Sequence, residues 1–273
     1  GNVLVGKDIT AGEDITISTQ QGNIVVGDTG TGNDGDILAK AGNVFIQTDK
    51  GNVGIVKTVT AQAGSLSVVS GQGDILIGNN GPDVKTVTAS ENIDLTAEDG
   101  RIVVYGKTST ENGDISLTAH RADYIAGEEN SSFIIDQNGK LEAGRALNLN
   151  VGNGDLHVSD RIQSKKDLAT EIAEKGSIYF DTDVDVEGKV KVKTDEGDIY
   201  VGHDVQADGD IAMTAETGTI HVGAAVNSAD GNVNLATGQG DIDIGKEVRA
   251  ATGSIGIQAG TGSVTIGNNG PDV

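Results

Sequence analysis

Asp181, Asp183, Asp185 and Glu187 stand at alternate positions, and on an extended strand that spacing would aim every one of these carboxylates at the same side. Grouped oxygen donors of this kind could form a calcium site like those of polysaccharide lyases. The plainer reading is a solvated strand face flanking Val184 and Val186. Another set of acids, Asp74, Asp155, Asp198, Asp210 and Asp241, follows a glycine in one recurring local pattern. A repeated position is a structural position, so these residues belong to turns or solvent and not to acid–base catalysis. His120, His157, His203 and His221 stand singly, with no recurring partner at zinc-ligand spacing. Thr58 with Thr60, and Thr86 with Thr88, have the TxT form of an ice-ordering ladder. The equivalent segments read DVQ, EVR and DIT, so charges interrupt it. The calcium-binding GGxG repeat, the GxSxG elbow and the GxxxxGK[ST] phosphate loop are all missing from the sequence. No residue is therefore assigned a catalytic, cofactor-binding or metal-binding role, and the expectation is a chain that is not an enzyme and needs no cofactor.

The elements that carry these residues follow from an internal repeat. One box reads Gly, polar, Ile/Val, any, Ile/Val and often Gly, as at 1–6 (GNVLVG), 22–27 (GNIVVG), 73–78 (GDILIG), 197–202 (GDIYVG), 218–223 (GTIHVG), 240–245 (GDIDIG) and 262–267 (GSVTIG). A second box of the form GDIxL begins at Gly42, Gly64, Gly113, Gly188, Gly209, Gly231 and Gly253, and 9 residues in most copies separate it from the next first box. Between the two lies a short segment such as KDITA at 7–11, KTVTA at 57–61 and 85–89, or KEVRA at 246–250. Each period of mostly 21 or 22 residues thus holds three stretches of alternating apolar and polar residues. That alternation specifies strands with one buried face. The stretch 167–175 (DLATEIAEK) sits almost in register as a second box, which favours a strand. Its Leu168/Ile172 and Glu171/Lys175 spacings also suit a helical turn.

Three short strands per period, separated by Gly, Asn and Asp, close most simply as one turn of a parallel β-solenoid. The expected fold is an all-β, right-handed parallel β-helix of about 11 turns. Its Ile/Val positions form ladders and its glycines form corners. Residues 42–84 align without a gap to 231–273, an offset of 189 residues that carries both prolines, Pro82 and Pro271. This longer repeat suggests that residues 1–273 are a single β-helical segment cut from a longer array. The departures from the period, at 28–34, 79–83 and 120–130, are the places where inserted loops could hold a ligand or receptor site. The last of them includes Tyr124.

Composition narrows the partners. The chain has no cysteine, 41 glycines, 2 prolines and a formal net charge of −22. A surface so acidic repels phosphate backbones and anionic lipids, which excludes nucleic acid and membrane surfaces as partners. No apolar run reaches the roughly 20 residues of a membrane-spanning helix, so membrane insertion is not expected.

The GDIxIG and GNIxL boxes with intervening V-T-A segments resemble the shaft repeats of filamentous haemagglutinin-type adhesins, large exoproteins of Gram-negative bacteria. The resemblance runs over nearly the whole chain. It implies a β-helical fibre, export through an outer-membrane transporter by two-partner secretion, an extracellular or cell-surface location, and attachment to a host-cell or bacterial surface receptor. Neither proline follows an asparagine, so the NPNG- or NPNL-type motifs of the family's secretion domain have no counterpart here. The function expected from sequence is a rigid structural shaft of such an adhesin; the alternative is a β-helical polysaccharide lyase or hydrolase.

Overall fold

The computed structural model describes residues 1–27, 35–78, 86–120, 140–160 and 162–267, with the backbone of 131–135. Loops 28–34 and 79–83, and residues 121–130 of the third loop with Tyr124, lie outside the described residues. Among these residues every regular element is a strand, and the strands form three sheets of 12, 11 and 11 members. The first sheet runs from Val3–Val5 to Val264–Ile266, the second from Ile9–Ala11 to Val248–Ala250, and the third from Ile15–Thr19 to Ile255–Ala259. Successive strands visit the sheets in rotation, so each strand pairs in parallel with the strand three places on. This is a parallel β-helix with three strands per turn. At about 4.8 Å per turn its eleven turns make a rod roughly 50 Å long.

Register explains why the boxes repeat as they do. Ile199 pairs with Ile178 on one side and Ile220 on the other, and Ile220 pairs in turn with Ile242. Like residues stack on like residues, and the inward columns are buried except in the terminal turns, where Ile255, Val264 and Ile266 are exposed. Each buried Ile, Val or Leu contributes on the order of 1.5–3 kcal/mol. The stretch 167–175 resolves as the strand Leu168–Lys175. Its Leu168, Thr170 and Ile172 face the core while Ala169 and Glu171 face outward, a period of two and not of 3.6.

Hydroxyls close the corners. Thr48 Oγ1 donates to the Gly22 carbonyl at 2.9 Å, Thr194 Oγ1 to Gly176 at 2.8 Å, and Ser228 Oγ to Gly209 at 2.8 Å. Each is a buried polar group that supplies a partner for a turn carbonyl. Thr170 differs: it is 1% exposed, its Oγ1 has no hydrogen-bond partner, and it stacks between Leu149 and Val192. Leaving a buried hydroxyl unmatched costs about 1–3 kcal/mol. Thr170→Val keeps the shape and removes that cost, so a gain of about 1 kcal/mol is expected in a denaturant titration. A loss of stability would show that the hydroxyl is satisfied in solution.

Candidate functional site

The acids that follow glycines hold one turn to the next. Asp74 Oδ1 accepts the Arg101 N–H at 2.8 Å, Asp155 that of Ser177 at 2.7 Å, and Asp198 that of Thr219 at 2.7 Å. Asp210 accepts from Asn232 at 2.8 Å and Asp241 from Ser263 at 2.7 Å. Asparagine does the same work at Asn2, Asn23 and Asn52, where Oδ1 accepts from residues 23, 52 and 74 at 2.8–2.9 Å. The N–H that each serves belongs to the corner, where the strand ladder has not yet begun, so an acceptor in this place removes an unsatisfied donor. For Asp210 the Asn232 N–H comes first and the Lys189 ammonium second in holding the carboxyl below its usual pKa. A lowered folded-state pKa means that this contribution is present above the ordinary carboxylate pKa and is lost as pH falls through the folded value.

Asp198→Ala is expected to lower stability by about 1–2 kcal/mol, because the Thr219 N–H loses its charged acceptor. Asp198→Asn restores an Oδ1 and should recover most of the loss. Equal effects of the two substitutions in thermal melts would contradict the assignment.

The group at 181–187 is not the single strand face that alternation suggests. The first-sheet strand ends at Phe180 and the next strand is only Val184–Val186, so Asp181 and Asp183 sit in the corner between them. Asp181 Oδ2 contacts His157 Nε2 at 2.9 Å and accepts from Ser159 Oγ at 2.9 Å. Asp183 Oδ1 accepts the Asp204 N–H at 3.2 Å, one more turn-to-turn tie. Only Asp185 and Glu187 share a depression. Among the described residues no three His, Cys, Asp or Glu side chains come together as a metal-binding group.

Three shallow depressions follow one another over the outward face of the second sheet, with volumes of about 390, 300 and 360 Å³. Glu142 is shared by the first two and Asp185 by the last two. Thr60, Thr88, Gln163 and Gln206 supply neutral hydrogen-bonding groups along this channel. Thr88 Oγ1 donates to Thr60 Oγ1 at 3.2 Å, but their column continues into Ser109 and Glu142, which ends the threonine row. Glu142 is paired with Lys107 Nζ at 2.6 Å.

The histidines separate into two kinds. His120 and His203 lie at corners, where their backbones carry turn-to-turn bonds with Gly100 and Ala224. His157 and His221 do not stand alone in space. They occupy the outward middle position of their first-sheet strands, and the strands between them place Tyr179 and Tyr200 in the same column. Ring centroids are 5.4 Å apart for His157–Tyr179, 6.4 Å for Tyr179–Tyr200 and 5.0 Å for Tyr200–His221. Asp181 binds the ring at one end of the column, and Asp243 Oδ2 lies 3.2 Å from His221 Nδ1 at the other. The sequence signal for this column was the recurrence of a ring at the same place in the box, at spacings of 22, 21 and 21 residues. Reading each histidine by itself misses it.

The structure therefore offers two surfaces with side chains arranged for contact: a polar channel over the second sheet and a ring column on the first. Compared with family models, with curated proteins and with solved structures, the chain shows no match to any of them.

Proposed function

We propose that this chain is a shaft segment of a secreted or surface-anchored bacterial adhesin, a rigid spacer that also offers attachment surface. The observation that carries this reading is the continuity of the coil: eleven turns stack strand on strand, and the same Asn/Asp acceptor recurs at corners from Asn2 to Asp241. A rod built by nearest-neighbour stacking can be lengthened turn by turn without a new core. The net charge of −22 suits it, since repulsion between like-charged rods resists lateral sheet pairing. Absence of cysteine suits an oxidising compartment, where stray thiols would mispair. Export through an outer-membrane transporter and display at the cell surface follow from the resemblance of the repeats and form part of the proposal.

The polysaccharide lyase or hydrolase reading has the second-sheet channel in its favour. Against it stands the arrangement of the acids there. Glu142 is engaged by Lys107, and Asp185 lies two turns further on, about 10 Å along the rod. Two measurements test the proposal. Immunogold labelling of the producing cells should place the chain on extracellular filaments, and purified chain should leave a panel of polysaccharides intact with and without calcium. Labelling confined to the cell interior, or measurable depolymerisation, would overturn it.

A further inference from the structure

We infer that the column His157–Tyr179–Tyr200–His221 is a binding stripe for a neutral glycan chain laid along the rod axis. This goes beyond the shaft reading and does not depend on it. The chain has only four tyrosines and four histidines, and two of each fall on one outward column in four successive turns. Tyr200 is 38% exposed, one of the few exposed large apolar residues among those described. Packing of the core does not require any of these rings, because the residues on either side of each ring, such as Ile199 and Val201, fill the interior.

The chemistry of the stripe matches a sugar chain in three respects. A pyranose has an apolar C–H face and a rim of hydroxyls. Tyr200 and His221 stack face to face at 5.0 Å and 8°, whereas Tyr179 is tilted by 38° and 45° from its neighbours and the 6.4 Å gap to Tyr200 is too wide for closed stacking, so Tyr179 is the ring whose faces are least covered by the others. Hydrogen-bonding groups stand beside them: the tyrosine hydroxyls, the histidine nitrogens, Ser159 and the carboxylates of Asp181 and Asp243. Spacing is the second match, because the ring centroids recur at 5.4, 6.4 and 5.0 Å, close to the length of one sugar in an extended chain. Four rings then cover about 14 Å, room for a short run of sugars.

Charge is the third match and selects the class. A net charge of −22 and the two carboxylates at the ends of the stripe oppose sulfated or uronic-acid glycans, leaving a neutral chain as the ligand. A protein partner is disfavoured by width, since a stable protein interface takes about 800 Å² from each side and this column is one residue wide.

The test is a titration of the intact chain with neutral gluco-, xylo- and manno-hexasaccharides and with a heparin hexasaccharide as the anionic control. Calorimetry gives the affinity, and tyrosine emission, unobscured because the chain has no tryptophan, reports the rings. Saturable binding to at least one neutral hexasaccharide is expected, weakened about tenfold by Tyr200→Ala and less by Tyr200→Phe. Ring NMR signals of the unsubstituted chain should shift on titration, which keeps the test decisive if a variant fails to fold. No neutral glycan bound, binding of heparin alone, or full binding by the Tyr179→Ala/Tyr200→Ala variant would each overturn the inference. So would concentration-dependent self-association that the double variant abolishes, because the stripe would then pack against a second copy.

Discussion

Gly197→Ala is expected to destabilise the rod by about 3 kcal/mol or more, combining backbone strain with overpacking. Gly197 sits at a first-sheet corner with φ +154°, a conformation that side-chain-bearing residues rarely adopt. An added Cβ would lie 2.5 Å from the Gly176 carbonyl carbon and 3.0 Å from the Ser177 nitrogen, both backbone atoms of the preceding turn. Neither can swing aside as a side chain would. Gly176 donates to Glu196 at 2.8 Å and Gly197 to Thr217 at 3.0 Å, so moving either turn breaks bonds to its neighbours. Gly54 is the control: it lies on the outward face of Val53–Ile55 and a Cβ there meets nothing within 4 Å. Gly54→Ala should be neutral or stabilising by a few tenths of a kcal/mol, because alanine restricts the unfolded chain. Guanidinium titrations of the two variants make the comparison, and equal midpoints would refute the corner argument.

Phe180→Ala is expected to cost about 3–5 kcal/mol, the range for removing a buried aromatic ring. Among the described residues Phe180 is the largest fully buried side chain, and it stacks between Val158 and Val201 in the first sheet. Its neighbours are β-branched residues held by their own ladders, so they can collapse only partly into the space. The site also lies inside a stack, on the eighth of the 12 first-sheet strands, in which each turn touches only those beside it. A cavity there weakens the coupling between the two halves of the rod as well as the local turn. Calorimetry should show a lowered transition that broadens or splits, and an unchanged single transition would contradict the expectation.

The strands, their order and their register could be read from the boxes because burial, pairing and corner geometry all impose the same period on this chain. The 168–175 strand is the clearest case. Helical spacing was available to Leu168 and Ile172, but a helix would have broken the column that runs from Leu149 through Thr170 to Val192. The acids after glycines were legible as structural, although not as acceptors for the next turn, since sequence alone does not show which N–H is left without a ladder partner. The 181–187 group departs from a single strand face for a related reason. Alternation continues through a corner even though the strand does not, so Asp181 and Asp183 keep the spacing of strand residues while the chain turns beneath them. The ring column was hidden by its position. The middle place of the box varies freely along the rod, from Leu4 and Gly54 to Asp243, and a variable place draws attention only when its occupants are compared across turns.

The hydrogen bonds between strands and the carboxylate ties at the corners all point along the rod's long axis. Tension applied through the chain ends therefore does not have to shear a whole sheet at once. It peels the terminal turn, and each turn of 21 or 22 residues that comes away adds about 70 Å of extended chain. The remaining turns keep every contact they had. A rod made this way lengthens in small, repeated steps before the stack as a whole gives way.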